Sequence, residues 1–386
     1  MTPGARVAAA IEILGDMSDG LAAEQALTRW ARRSRFAGSK DRAAIRDHVF
    51  DVLRCRRTAA HYGQGDSPRA LMIGLLHQQD ADLDGLFSGD GHAPAPLTGQ
   101  ERQFPMPPED HAVAWNLPDW LIPAFEASLG EAANGVAIAL QDRAPVFLRV
   151  NTLKTSRDEA QASLLAEGVE TKHNPLCGTA LTVTEGARKI RNSNAYLQGH
   201  VELQDAASQA VVAALPKGGR VLDYCAGGGG KALALAEDPD RKVFAHDIDP
   251  RRMADLPGRA DRAGAQITSL STEQTAQSEK FDIVLCDAPC SGSGAWRRAA
   301  DGKWTLTPDQ LATLNQTQDD ILDKAATLIA AGGVLAYATC SVLRDENEDR
   351  VEAFLARHPG WSMTSSHRFD LGPNGDGFFT AHLTQD

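Results

Sequence analysis

The stretch RVLDYCAGGGGKALALAED, Arg220–Asp238, sets four consecutive glycines between a strand-like run and a helix-like run. Glycine loses more backbone freedom on folding than any other residue. Such a run is therefore kept only where φ must be positive or where another group must approach the backbone closely. The loop reads as a ligand cradle at the end of a strand. Outward from it, strand-like and helix-like segments alternate: KVFAHDI, PRRMADLPGRADRAG, FDIVLCDAP, TPDQLATLNQTQDDILDKAATLIAAGG, VLAYATCS, ENEDRVEAFLARHP and a terminal GFFTAHLTQ. That alternation predicts an α/β fold, a mostly parallel sheet with helices on both faces. Ligands of such sheets bind beyond the carboxyl ends of the strands, where the strand order reverses. The first strand ends in the glycine loop, the second in HDID, the fourth in DAPCSGSG and the fifth in ATCS.

Spacing discriminates among ligands for the loop. A phosphate-binding P-loop needs G-x-x-x-x-G-K-[ST], but Cys225 stands where the first glycine belongs and Ala232 where Ser or Thr would hold magnesium. A dinucleotide fingerprint fits Gly227, Gly229 and Ala232, with Asp247 twenty residues past Gly227 as an acid for ribose hydroxyls. The same loop and acid serve S-adenosylmethionine equally well. Dehydrogenase and methyltransferase thus stay open on the loop alone. The thiols favour the methyltransferase, because hydride transfer has no use for Cys290 and Cys340 at two strand ends beside Asp287. Cys55, Cys177 and Cys286 read as small packing residues. No Cys-x-x-Cys or His-x-x-x-His spacing suggests a metal site.

Upstream, apolar residues recur at helical spacing from about Ala5 to Leu86, followed by the Pro- and Gly-rich FSGDGHAPAPLTGQERQFPMPPEDH and then by the strand-like PVFLRVNTL and TALTV around a helical SRDEAQASLLAEG. The 386 residues carry a net charge of −12, which argues at first against a polyanionic partner. The distribution reverses that argument: ten basic and three acidic residues lie between Arg29 and Arg57, a local +7. The six cysteines form no paired framework, and neither a signal peptide nor a membrane-spanning run is evident, so the expectation is a cytoplasmic protein.

LDYCAGGGGK, DAPCSGSG, ATCS and DGFFTAHL together resemble the cytosine-5 RNA methyltransferases of the NOL1/NOP2/Sun family, most closely the bacterial 16S ribosomal RNA branch. APVFLRVNTLK and LQGHVELQDAASQAVV are similar to the segment preceding that family's catalytic domain, and GSKDRAAIRDHVFDVLR resembles its NusB-like helical domain. The resemblance implies a Rossmann-like class I methyltransferase sheet at 206–386. Before it would come an all-α NusB-like RNA-binding domain with its linker at 1–130 and a small α+β RNA-binding unit at 131–205. It further implies methyl transfer from S-adenosylmethionine to C5 of a cytosine in RNA, by a monomer without metal. Cys340 would be the nucleophile adding to C6, Cys290 would assist its release, and Asp287 would contact the cytosine and border the cofactor. Cys225, Ala226, Gly227, Gly228, Gly229, Gly230 and Lys231 would wrap the methionine part and Asp247 the ribose. Arg32, Arg33 and Arg35, with Arg297, Arg298 and Lys303, would meet RNA phosphates. Two departures stand out: Gly228 replaces the family's usual proline, and Ser269, Ser271 and Thr272 stand where an Asp commonly lies near the adenine. An NAD-dependent oxidoreductase and a non-enzymatic RNA-binding assembly factor are the rival readings.

Overall fold

The computed structural model describes residues 1–385 and divides into two compact units. The first comprises Met1–Glu126, Gly130–Arg143 and Trp296–Thr305, and the second holds Ala127–Leu129, Ala144–Ala295 and the chain from Leu306 onward.

The first unit is helical, as expected. Its principal helices are Pro3–Ser18, Ala23–Arg33, Ser39–Arg54, Arg56–Gly63 and Pro68–Gln78. Proline at the first turn needs no hydrogen-bonded N–H, and Thr2 and Ser67 cap two of these helices by accepting from Ala5 N and Ala70 N. Their apolar stripes close on one core containing Ile13, Trp30, Ile45, Phe50, Met72 and Ile73. The helices continue past the expected boundary at 130, through Ala133–Ala139.

The segment 296–305 also belongs to this unit, and it buries Arg297 and Lys303, two of the three residues expected to meet phosphates. Ala300 sits in the helical core and Trp304 packs against it, with Trp304 Nε1 donating to Leu53 O at 2.7 Å. Lys303 is buried and its Nζ donates to Arg54 O at 2.8 Å, while the carbonyl of buried Arg297 accepts from Arg54 Nε at 2.9 Å. Burial pulls the Lys303 ammonium down to about 7, and the charge of Arg54 adds to the fall. Neither Lys303 nor Arg297 offers its side chain to solvent; Arg298 does.

The second unit contains two sheets. Strands β1 (Val146–Val150), β2 (Glu170–His173), β3 (Ala180–Glu185) and β4 (Val201–Leu203) form an antiparallel sheet in the order β2-β3-β1-β4. Strands β5 (Gly219–Asp223), β6 (Arg241–Ala245), β7 (Ile267–Ser269), β8 (Phe281–Asp287), β9 (Ile329–Thr339), β10 (Trp361–Phe369) and β11 (Phe378–Gln385) form the large sheet, ordered β10-β11-β9-β8-β5-β6-β7. The pairs among β5 to β9 are parallel and those of β10 and β11 antiparallel. Successive residues of a strand point to opposite faces, and both faces are buried here. Val221, Ile283, Leu285 and Ala336 join one core; Leu222, Val284, Cys286 and Leu335 join the other. Two-sided burial is why these strands read as continuous apolar runs.

The order reverses between β5 and β8, because β6 and β7 extend one way from β5 whereas β8 and β9 extend the other. The glycine loop and Asp287 end the two strands that flank this switch.

Candidate active site

The glycine loop adopts the conformation that its composition demands. Gly227 and Gly229 have φ of 52° and 78°, and a Cβ on Gly229 would lie 2.3 Å from Leu256 Cδ1. The loop is held from several sides. Gly227 N donates to Asp247 Oδ2 at 2.9 Å, the Gly228 carbonyl accepts from Arg259 Nη1, and Arg149 Nη1 from β1 donates to Gly230 O at 2.8 Å. Arg149 is itself buried and paired with Glu237 at 2.7 Å. Asp247 is buried, and its other contacts are Asp249 N at 3.0 Å and the exposed Arg252 at 3.1 Å. Ile248 beside it is 78% exposed, a large apolar side chain left at the mouth of the loop. Ser271 caps the helix Thr272–Gln277 and Thr272 Oγ1 bonds His246 Nε2 at 2.9 Å, so both are already used within the fold.

Lys231 leaves the loop at the base of its helix and donates from Nζ to Asp287 Oδ2 at 2.6 Å. Burial opposes charge on Lys231, but Asp287 outweighs it by attraction and hydrogen bond, and the ammonium ends above its ordinary value. Asp223, the last residue of β5, is fully buried, with the backbone N–H of Ala232 and the ammonium of Lys231 as the groups that favour its charge. Burial first, then the charge of Asp287, pushes its carboxyl up to about 7. Sequence reading passed over Asp223 as a strand terminus. Its only signal was an acid directly before the glycine loop.

The two thiols do converge. Cys290 Sγ lies 3.4 Å from Cys340 Sγ, because β8 and β9 are neighbours with Asp287 opposite Ala338. The loop after β8 is fastened to the end of β9: Ala288 N donates to Ala338 O and Gly294 N to Cys340 O, each at 2.9 Å. Gly294 lies so close to Gly377 that an added Cβ would meet the Gly377 carbonyl at 1.9 Å, which accounts for glycine in both SGSG and DGFF. A hydrogen bond to Cys340, then burial, then the negative charge of Cys340 and Glu346 push the Cys290 thiol well above its ordinary value.

The basic run of the helical unit is partly neutralised. Arg33 pairs with Glu12 at 2.6 Å and Arg46 with Glu24, while Arg54 and Arg57 pair with Asp51 and Asp119 at 2.8 and 2.5 Å. Arg29, Arg32 and Arg35 are exposed and carry no ion pair among the described residues. The double variant Arg32→Glu/Arg35→Glu is expected to weaken RNA binding and to flatten its salt dependence by about 0.7 per lost contact, whereas Arg33→Glu alone does less. Filter binding across a salt series checks this; unchanged affinity and slope in the double variant would exclude the face.

A parallel sheet with a glycine loop at its switch point, an acid ending the next strand and an antiparallel β-hairpin at one edge define a Rossmann-like methyltransferase. Residues 210–384 match the family model "16S rRNA methyltransferase RsmB/F", and residues 117–189 match the ferredoxin-like domain of the RsmF/B-like methyltransferases. The chain is 34% identical over 310 residues to ribosomal RNA small subunit methyltransferase B of Klebsiella pneumoniae strain 342, covering 74% of this chain and 72% of that one. It is 36% identical over 253 residues to the probable ribosomal RNA small subunit methyltransferase B of Bacillus subtilis strain 168, covering 63% and 56%. A solved methyltransferase homologue from Pyrococcus horikoshii shares the fold over 73% of this chain and 100% of its own, with a TM-score of 0.63 and 24% identity. The chain belongs to the RsmB/F family of methyltransferases, whose methyl donor is S-adenosylmethionine. Family membership sets aside the oxidoreductase reading. Among the described residues, no helix is long and apolar enough to cross a membrane.

The residues present fit that cofactor. The positive-φ glycine loop lets a group approach its backbone, Asp247 ends the next strand as a buried carboxylate against that loop, and Ile248 offers an apolar face. Ionised Asp223 attracts an ammonium and neutral Asp223 does not. Affinity for S-adenosylhomocysteine is therefore expected to rise with pH through about 7 and to lose that dependence in Asp223→Asn. Calorimetry between pH 6 and 8 checks it; a flat profile in the unaltered protein would contradict the assignment.

Proposed function

We propose that this protein methylates C5 of a cytosine in small-subunit (16S) ribosomal RNA through a covalent Cys340–C6 adduct, acting as a monomer in the cytoplasm without a metal. The observation that carries the reading is the thiol pair, 3.4 Å apart beside Asp287. Cytosine C5 is a poor nucleophile until a thiolate adds at C6 and turns the C5–C6 bond into an enamine-like system. In this reading Cys340 is that thiolate and Cys290, with its sulfur 3.4 Å away, is the S–H that can hydrogen-bond to it. S-adenosylmethionine supplies the electrophilic methyl group, held by the loop Cys225–Lys231 with Asp223, Asp247 and Ile248. Asp247 would exchange the exposed Arg252 for ribose hydroxyls. Asp287, fixed by Lys231, would hydrogen-bond the cytosine edge and favour addition. Once the C5 proton has passed to a base, the C6–Sγ bond breaks and the electron pair returns to Cys340. Cys290 eases that departure by donating again to the leaving thiolate. The exposed Arg29, Arg32 and Arg35 would hold RNA phosphates on the helical unit.

The test is to incubate the protein with S-adenosylmethionine and protein-free 16S ribosomal RNA, digest the RNA and identify the methylated nucleoside by mass spectrometry. The expected product is 5-methylcytidine. Methylation confined to a ring nitrogen, a ribose oxygen or another base would overturn the reading.

A further inference from the structure

The residue following each thiol is bound to the same buried carboxylate. Glu346 is fully buried between the end of β9 and the helix Glu348–Arg357. Its Oε1 accepts from Ser291 N at 2.7 Å and from Gln318 Nε2 at 3.2 Å. Its Oε2 accepts from Ser291 Oγ and Ser341 Oγ, each at 2.5 Å. Ser291 follows Cys290 and Ser341 follows Cys340, so one side chain ties the two thiol-bearing loops together. Gln318 Nε2 also donates to Pro289 O at 2.9 Å, bracing the Cys290 loop from the helix Pro308–Ala326. The backbone of Glu346 is fixed in turn, since Tyr337 OH donates to its carbonyl at 2.6 Å. Asn347 beside it accepts from Thr339 Oγ1 at 2.5 Å and donates to Ser341 O at 3.0 Å.

A buried carboxylate is tolerated only when its lone pairs are satisfied, and four donors on two oxygens satisfy it. None of these atoms belongs to a thiol, yet their arrangement fixes where both thiols stand. Resting on the two-thiol reading above, we propose that Glu346 is the positioning residue of the reaction: it sets the Cys290–Cys340 separation through Ser291 and Ser341. Its charge also pushes the Cys290 thiol upward, after the hydrogen bond to Cys340 and burial.

Glu346→Gln keeps the size of the side chain but replaces an acceptor oxygen by an NH₂ that faces donors, so one loop must move. Displacement of reacting groups by about 1 Å costs roughly a hundredfold in rate. The expected result is a kcat lower by about that factor, with KM for RNA and Kd for S-adenosylhomocysteine unchanged. Ser291→Ala and Ser341→Ala each remove one donor and should lower kcat less, which keeps the proposal testable if Glu346→Gln does not fold. A second readout needs neither RNA nor turnover: the pH midpoint for iodoacetamide alkylation of Cys290, followed by peptide mass spectrometry. It should fall in Glu346→Gln, because a negative charge has been removed. Merely loosened packing would raise KM and Kd together and leave the midpoint in place, and that outcome overturns the proposal. A folded Glu346→Gln variant with unaltered kcat overturns it as well. If the unaltered protein makes no 5-methylcytidine, the functional reading fails, while the alkylation midpoint still decides whether Glu346 governs the thiol.

Discussion

Cys340→Ala is expected to be inactive and to form no covalent protein–RNA species, whereas Cys290→Ala should accumulate one. The opposite failures follow from the two roles. Without the sulfur of Cys340 no bond to C6 can form, so C5 is never activated and methyl transfer falls to background. Without the S–H of Cys290, addition and methyl transfer remain available, but the departing thiolate loses the donor that lies 3.4 Å away. The complex should then be trapped after methylation, seen on a denaturing gel as a slow band that contains methylated RNA and vanishes in the double variant. An adduct in Cys340→Ala but not in Cys290→Ala would exchange the two roles. Both single variants methylating at the normal rate would return the thiols to packing, the default for half-buried cysteines.

The second large effect concerns Lys231. Its ammonium lies 2.6 Å from Asp287 and also acts on the buried carboxylate of Asp223. Lys231→Met would leave two carboxylates near each other without a cation. Breaking a buried pair from one side costs about 3 to 5 kcal/mol, and the lower end applies because Asp287 is one-third exposed. Protonation relieves part of that cost. Asp223 already titrates at about 7 when folded, well above an ordinary aspartate, and loss of Lys231 removes the charge that lowers it. A carboxyl raised on folding contributes stability at low pH that is lost as pH rises through its folded value. The penalty of Lys231→Met should therefore be larger at pH 8 than at pH 5.5. Urea denaturation at the two pH values checks this; a small penalty, or one independent of pH, would mean that the three groups do not interact as described.

Much of the large sheet is legible in the sequence because β5, β6, β8 and β9 are buried on both faces and must be apolar. The meeting of Cys290 and Cys340 follows from recognising two neighbouring strands. Strand β10 is illegible for the converse reason: WSMTSSHRF is mostly exposed at a sheet edge, and its place depends on hydrogen bonds to β11 rather than on any apolar pattern. The same holds for β2, ETKH, while β4 has only three residues to show. The burial of Arg297 and Lys303 in the segment 296–305 is hidden in the sequence because the segment adjoins DAPCSGSG in the chain. Its two tryptophans and Ala300 are the marks of a packed segment, and they outweigh the three basic residues that suggested phosphate. Glu346 and Asp223 lie outside any expectation, since the full burial of both carboxylates and the partners around them exist only in three dimensions. Ion pairing likewise divides a basic run that looks uniform as a string, leaving Arg29, Arg32 and Arg35 exposed without an ion pair among the described residues while Arg33 faces Glu12 and Asp16.

The central claim is a covalent bond between Cys340 and the target cytosine, and peptide mapping of the trapped species tests it most directly. Cys290→Ala would be incubated with ribosomal RNA and S-adenosylmethionine, the denatured adduct digested with nuclease and protease, and the modified peptide sequenced by mass spectrometry. The predicted result is a single modified residue, Cys340, carrying a methylated cytidine. A nucleotide on any other residue, or 5-methylcytidine produced at the normal rate with no modified peptide, would contradict it.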